Sequence, residues 1–153
     1  MTTTNTTFDE IYDLALISFK DYKLDTLYNT SPSDFTNVLQ GYLYKAIPKF
    51  TNCLQDLEDF DSTTKVFNSV LTLTEKVLLS DFMIIEWMTP QILDITQMEL
   101  HLNDTDFKIF SEERNLKGKI EVQNILIERI DKQLTSYGLK NVPWTDWGNG
   151  VFT

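Results

Sequence analysis

The residues best suited to nucleophilic or acid–base chemistry are the single cysteine, Cys53, and the single histidine, His101. A cysteine or serine nucleophile needs a base beside it that takes its proton, and these two residues lie far apart in the sequence. The chain also contains no glycine-rich phosphate loop, no Cys-x-x-Cys pair and no His-Glu-x-x-His motif. The sequence therefore favours a protein that is not an enzyme.

Two acid-rich stretches are candidates for metal sites. Residues 56–61 (DLEDFD) lack the central glycine and the distal glutamate of an EF-hand, so we expect a surface loop. Asp104 and Asp106 flank a threonine, which is typical of a turn held by side-chain hydrogen bonds. His101 has no second histidine or cysteine at zinc-ligand spacing. We expect neither a metal nor another cofactor.

Three further carboxylates, Glu75, Asp81 and Glu86, fall within the strongest apolar pattern of the chain, residues 72–107. They share no common i, i+4 spacing, and Lys76 lies among them, so their arrangement does not support carboxylate catalysis. We expect all three to lie on the polar side of a helix.

That helix is predicted over residues 74–88 and should be the central one. Thr72 and Glu75 have the spacing of a capping box, in which each side chain bonds a free backbone N–H at a helix start. Apolar residues then recur at helical spacing: Val77, Leu78, Phe82, Ile85 and Met88. Phe82, Ile85 and Trp87 are the predicted core anchors.

Thr89 and Pro90 interrupt this pattern. Proline disfavours helical geometry in the residue before it, but it fits well at the first position of a new helix. We therefore predict an elbow at this point, with a second helix over residues 90–100.

Three more helices are expected near residues 8–19, 34–47 and 112–137. Thr7 and Ser111 are placed to cap the first and the last of them, and Gly138 to end the last. Between the first two helices we expect a connection. Pro48 either kinks or ends the helix before it, and residues 49–57 favour another short helix. Residues 65–73 are compatible with a short extended segment.

The last helix has an apolar seam with heptad-like spacing, interrupted by a glutamine. Two interpretations carry equal weight: packing within the monomer and packing across a subunit interface. The seam consists of Leu116, Ile120, Ile127, Ile130, Leu134 and Tyr137.

The predicted fold is mainly α, a single-domain helical bundle over residues 8–138 between a flexible N-terminal tail, 1–7, and an extended tail, 139–153. The second tail has no helical period, but it carries Trp144, Trp147 and Phe152. Because each aromatic ring has a large apolar surface to bury, we expect the tail to dock on its own helices or on a neighbouring subunit.

The composition of the chain limits the classes of partner that it is expected to bind. The chain has 153 residues with 23 acidic and 13 basic side chains, for a net charge of −10. Phosphate binding depends on lysine and arginine, so any nucleic acid contact should be incidental. No uncharged run is longer than ten residues, whereas a membrane-spanning helix needs about 20 apolar residues. We expect no membrane partner.

Several segments resemble a group of small structural proteins of tailed bacteriophages of Gram-positive hosts. The similarity spans about residues 8 to 152. Its clearest segments are 46–53 (AIPKFTNC), 75–80 (EKVLLS), 86–88 (EWM), 102–108 (LNDTDFK), 110–112 (FSE) and 143–147 (PWTDW).

The resemblance implies a non-enzymatic virion protein of the head-to-tail connector, or neck, assembled as a homo-oligomeric ring of about 12 subunits by family analogy. It implies portal and other neck or tail proteins as partners, and the host cytoplasm as the place of assembly. Connector subunits are short and helical and send extended tails onto neighbours, so Trp144, Trp147 and Phe152 become candidate interface anchors. Two alternatives are a tail or baseplate protein, and a phage regulatory or inhibitory protein that binds a host factor in the cytoplasm.

Overall fold

The computed structural model describes residues 5–18, 22–101 and 106–142, with side chains at 5–18, 24–94 and 116–142. These residues form five helices and one two-stranded sheet, which confirms the mainly α fold and its long last helix. The elements are α1 (Phe8–Ser18), α2 (Tyr22–Thr30), α3 (Pro32–Ala46), a 3₁₀ turn (Ile47–Lys49), β1 (Phe60–Asp61), β2 (Val66–Phe67), α4 (Leu73–His101) and α5 (Asp106–Lys140).

Helix α4 is the centre of the bundle, as predicted. It packs against α1, α3 and α5, while α2 packs against α3. Every residue from 78 to 85 is buried, so two turns of α4 are enclosed on all sides. Phe82 and Ile85 belong to this core, whereas Trp87 is only partly buried at its edge.

The start of α4 confirms the capping box. The Thr72 N–H donates to Glu75 Oε2 over 2.7 Å, and the Glu75 N–H donates to Thr72 Oγ1 over 3.3 Å. Both bonds satisfy backbone donors that the first helical turn leaves free.

The predicted elbow at Thr89 and Pro90 is wrong, because α4 continues through Pro90 to His101. Contacts with α5 secure the helix on both sides of the proline: Gln123 Nε2 donates to Thr89 Oγ1 over 3.2 Å, and Lys119 Nζ donates to Gln91 Oε1 over 2.9 Å. Packing against a long neighbour thus outweighs the backbone hydrogen bond that Pro90 lacks.

Two other local predictions are wrong. Residues 22–30, expected as a connection, form α2, where the buried Leu24 and the hydrogen bond from Asn29 Nδ2 to Asp25 O help to hold the helix. Residues 49–57, expected to form a short helix, instead comprise the last residue of a 3₁₀ turn followed by irregular turns. Pro48 ends α3 rather than kinking it, since α3 stops at Ala46 and a 3₁₀ turn follows.

The extended segment is confined to β2, which pairs antiparallel with β1 through Phe60 with Phe67 and Asp61 with Val66. Thr6 lies against this hairpin: its carbonyl accepts the Phe67 N–H over 2.8 Å, and its hydroxyl accepts the Leu71 N–H over 2.8 Å. Residues 6 and 7 are therefore part of the packed body and not of a flexible tail.

Helix α5 differs from its prediction at both ends. It begins at Asp106, before the expected cap at Ser111, and it continues past Gly138 to Lys140. The body therefore extends to residue 140, and the first two residues of the expected tail are helical. Of the predicted seam, Leu116, Ile130 and Tyr137 are buried, while Ile120 and Ile127 lie partly exposed on one flank.

Candidate functional site

An apolar groove lies between the end of α1 and the middle parts of α4 and α5, and it encloses about 260 Å³. Its lining is apolar except for a serine at one side and an arginine at one end. The residues are Ser18, Ile84, Trp87, Met88, Val122, Ile125, Leu126 and Arg129.

Two β-branched residues of α5 leave the groove open to water. Val122 is 55% exposed and Ile125 is 62% exposed, although both stand beside the buried Leu126. On a helix, residues three and four apart share a face, so Val122, Ile125 and Arg129 form one stripe along the flank of α5. Neighbouring exposed apolar side chains around a groove are typical of a docking surface.

The register of α5 explains why this stripe is open. Leu126 and Ile130 are spaced by four residues and belong to the core, which leaves Ile125 on the adjoining flank of α5, at the edge of the groove. Helix α1 packs against α4, so the groove remains as a gap between α1 and α5. The predicted anchor Trp87 lies in this gap and not fully in the core.

Sequence reasoning missed the stripe as a surface. The seam predicted for α5 leaves out Val122, Ile125 and Leu126, whereas the structure buries Leu126 and exposes the other two. The available signal was that Val122 and Ile125 lie three residues apart on the same helix and outside its predicted seam.

An ion pair closes one end of the groove. Arg129 Nη2 donates to Asp81 Oδ1 over 2.6 Å, and the Asp81 side chain is only 4% exposed. Asp81 Oδ2 is buried and accepts no hydrogen bond from the described residues. Burial raises the pKa of the Asp81 carboxyl, and the positive charge of Arg129 opposes that rise. Asp81 is thus buried against Arg129 and does not lie on the outer side where we expected it.

A second polar cluster lies at the start of α4, where it joins three parts of the chain. Tyr137 donates its hydroxyl proton to Glu75 Oε1 over 2.6 Å and accepts the Leu54 N–H over 3.0 Å. Glu75 is 1% exposed, which corrects its expected outer position. Its carboxylate is used by the helix start and by Tyr137, so the cluster fixes the loop at Leu54 to both long helices.

Cys53 lies beside this cluster but is poorly suited to nucleophilic chemistry. Burial raises the pKa of its thiol, and the nearby Glu75 charge adds to the rise. The thiolate is the nucleophilic form of cysteine, so this environment keeps the reactive form scarce. Burial, together with the hydrogen bond to Glu75, likewise raises the pKa of Tyr137.

The acidic residues of the 56–61 loop make turn contacts. Asp56 Oδ1 accepts the Glu58 N–H over 3.0 Å, and Asp61 Oδ1 accepts the Thr63 N–H over 2.7 Å. Within residues 5–18, 24–94 and 116–142, no three histidine, cysteine, aspartate or glutamate side chains are grouped so that they could hold a metal ion. The side chains of His101, Asp104 and Asp106 lie outside the described residues.

The predicted interface anchors Trp144, Trp147 and Phe152 also lie outside the described residues. In the described part of the chain, no helix combines the length and the apolar character that crossing a membrane requires. No protein family, curated protein or solved structure was found to match this chain.

Proposed function

We propose that this protein is a non-enzymatic structural protein of a tailed phage virion that forms a homo-oligomeric ring in the head-to-tail connector. In this proposal, subunits assemble in the host cytoplasm and contact the portal and other neck or tail proteins. The observation that carries the assembly role is the open groove with Val122 and Ile125 at its edge. The resemblance of the sequence to small phage structural proteins supports the place in the virion.

A ring requires two different complementary surfaces on each subunit, because a head-to-tail contact closes when the rotation per subunit fits. The groove is one such surface on the helical body. The segment with Trp144, Trp147 and Phe152 supplies the other, with aromatic anchors of the kind that dominate interface energies. An apolar groove and an aromatic segment are chemically complementary.

The net charge also favours apolar contacts between subunits. At −10 per chain, identical subunits repel one another at low ionic strength, and salt weakens this repulsion. Burial of apolar area depends little on that charge. We therefore expect association to become stronger as the salt concentration rises.

The described polar groups that could do chemistry already have structural roles. Glu75 caps α4 and binds Tyr137, and Asp81 pairs with Arg129. The thiol of Cys53 is kept protonated by burial. These arrangements support a structural role over a catalytic one.

A matched pair of substitutions on α5 tests the proposal. Ile125→Asp places a charge in the groove, and Ile127→Asp places the same charge two residues away, on a different side of the helix. Ile125→Asp should weaken self-association at least about tenfold, equivalent to about 1.4 kcal/mol, while Ile127→Asp should change it much less. Analytical ultracentrifugation over a range of concentrations measures both.

Several outcomes would contradict this function. A wild-type chain that stays monomeric at every concentration and salt, or equal effects of the two substitutions, would remove the assembly role of the groove. A monomer that binds one host protein would favour the regulatory alternative. Cryo-electron microscopy of the virion would distinguish the neck from the tail or baseplate.

A further inference from the structure

A shallow depression runs along one flank of α5 beside the groove, and it encloses about 370 Å³. It shares Ile125 and Arg129 with the groove and continues from there towards the end of α5. The side chains that line it are Ile125, Glu128, Arg129, Lys132, Gln133 and Ser136. All six belong to α5, and no other described element lines the depression.

This flank combines an exposed apolar residue with a cation. Ile125 is 62% exposed. Arg129 is held by the buried Asp81, but Lys132, three residues further on, forms no salt bridge with any residue whose side chain is described. In a chain with a net charge of −10, an unpaired lysine beside an apolar residue favours a surface that is itself acidic and apolar.

The outer side of α1 is such a surface. Asp13 and Ile17 are four residues apart, so they lie on one face of the helix. Both are exposed, Ile17 to 82%. Asp13 forms no salt bridge with the residues whose side chains are described either. An unpaired carboxylate and an exposed isoleucine thus stand one turn apart on α1.

The first turn of α1 and the last turns of α5 lie at the same height along α4. Glu10 of α1 pairs with Lys76, and Tyr137 of α5 donates to Glu75. Because Glu75 and Lys76 are neighbours on α4, these two contacts fix the relative heights of α1 and α5 at this end of the bundle.

The other end of α1 is matched to α5 in the same way. Ser18 and Ile125 line one groove, so Ile17 stands at about the height of Ile125. Asp13 and Lys132 both fall between the two matched levels. The apolar residues of the two surfaces therefore share one height, and their charged residues share another.

We propose that the outer face of α1 from a second copy of this chain packs on this flank of α5, with Ile17 against Ile125 and Asp13 paired with Lys132. Copies related by rotation about an axis parallel to the helices keep the same height, so the contact requires no shift along the helices. This inference rests on the proposed self-assembly. It adds α1 to the subunit contact and leaves the groove itself to the aromatic segment.

A charge swap tests the ion pair. Asp13→Lys and Lys132→Glu should each raise the dissociation constant of self-association about three- to tenfold, because each replaces an attraction between subunits with a repulsion. The double variant restores an opposite pair and leaves the net charge unchanged, so its dissociation constant should lie within about twofold of the wild-type value. Analytical ultracentrifugation at one salt concentration compares the four proteins.

Lys45→Glu is the matched control for the change in net charge, because Lys45 is exposed on α3. It should weaken association less than Lys132→Glu does. Equal effects of these two changes, or a double variant that associates no better than the single ones, would overturn the ion pair. A wild-type chain that does not self-associate would remove the proposed assembly as a whole, whereas association that is insensitive to these changes would remove only the α1 contact.

A disulfide between subunits tests the apolar contact. Ile17→Cys and Ile125→Cys are made on separate chains that also carry Cys53→Ala, and the two chains are mixed with a mild oxidant. We expect a linked pair in the mixture and in neither variant alone, because the contact joins unlike surfaces. Ile127→Cys replaces Ile125→Cys in the control and should give little linked product. Equal linkage in the control, no linkage in the first mixture, or linkage of Ile125→Cys chains to one another would overturn the contact.

Discussion

The Tyr137 hydroxyl lies 2.6 Å from Glu75 Oε1, a contact that joins residues 62 positions apart in the sequence. Glu75 belongs to the first turn of α4, and Tyr137 to the last turns of α5. Because Tyr137 also accepts the Leu54 N–H, one hydroxyl connects three segments. Leu54, Glu75 and Tyr137 also line a cavity of about 500 Å³, so this cluster forms part of its wall.

Tyr137→Phe should destabilise the protein by about 1.5–3 kcal/mol, because it leaves a buried carboxylate oxygen and a backbone N–H without their partner. Urea unfolding of the variant measures the change. Tyr28→Phe is the matched control, since Tyr28 is exposed on α2 and its ring contact with Phe35 survives the change. Equal stability losses in the two variants would show that the Tyr137 hydroxyl is not a structural connection.

The capping box shows which features the sequence predicts well. Thr72 and Glu75 form a local pattern whose bonds lie within one turn, so their spacing was enough to place the start of α4. The continuation through Pro90 depends on Lys119 and Gln123. These partners are distant in sequence, and no local pattern shows that they will be there.

The burial of polar side chains such as Asp81 and Thr6 could not be predicted from the sequence either. Asp81 has the spacing of an outer residue on an isolated helix, but α4 is enclosed on all sides at residues 78–85. Thr6 was expected in a free tail, yet it bonds the hairpin that follows α3. In both cases, segments distant in sequence pack around the residue and determine whether it is buried. The groove was missed for the same reason, since the gap around Ile125 depends on how α1 and α5 pack on α4.

The buried Asp81 should make stability depend on pH. Burial raises the pKa of its carboxyl above the ordinary value of 3.8, against the opposing charge of Arg129. Between that value and the raised one, the folded state binds more protons than the unfolded state. The contribution of Asp81 to the free energy of unfolding therefore falls as the pH rises through this window.

Asp81→Asn removes this titration. Relative to the wild type, the variant should gain stability as the pH rises from about 3.8 towards neutrality, which urea unfolding at a series of pH values measures. Asp94→Asn is the matched control, because Asp94 is exposed on the same helix. A stability difference between Asp81→Asn and the wild type that is constant with pH would contradict the prediction.

Phe82 and Trp87 should differ in their contribution to the core, although both were expected as anchors. Phe82 is 8% exposed, whereas Trp87 is partly buried and lines the groove. Phe82→Ala should cost about 3–5 kcal/mol, as truncation of a buried aromatic does. Trp87→Ala should cost less, about 1–3 kcal/mol, because part of its ring is already in contact with water. Thermal and urea unfolding compare the two, and a larger loss for Trp87→Ala would place that ring inside the core.

Deleting residues 143–153 should leave the helical body folded but weaken subunit association. The deletion leaves α5 complete, because the helix continues to Lys140. Asn141 Nδ2, which is also retained, donates to Tyr137 O over 2.9 Å. Circular dichroism should thus retain its helical signal, while ultracentrifugation shows a lower oligomeric state. Trp144→Ala is the informative comparison: if Trp144 docks on its own chain, this variant should lose stability and keep its oligomeric state. A deletion that lowers the melting temperature as much as Trp144→Ala does, yet leaves association unchanged, would show that the segment only covers its own body.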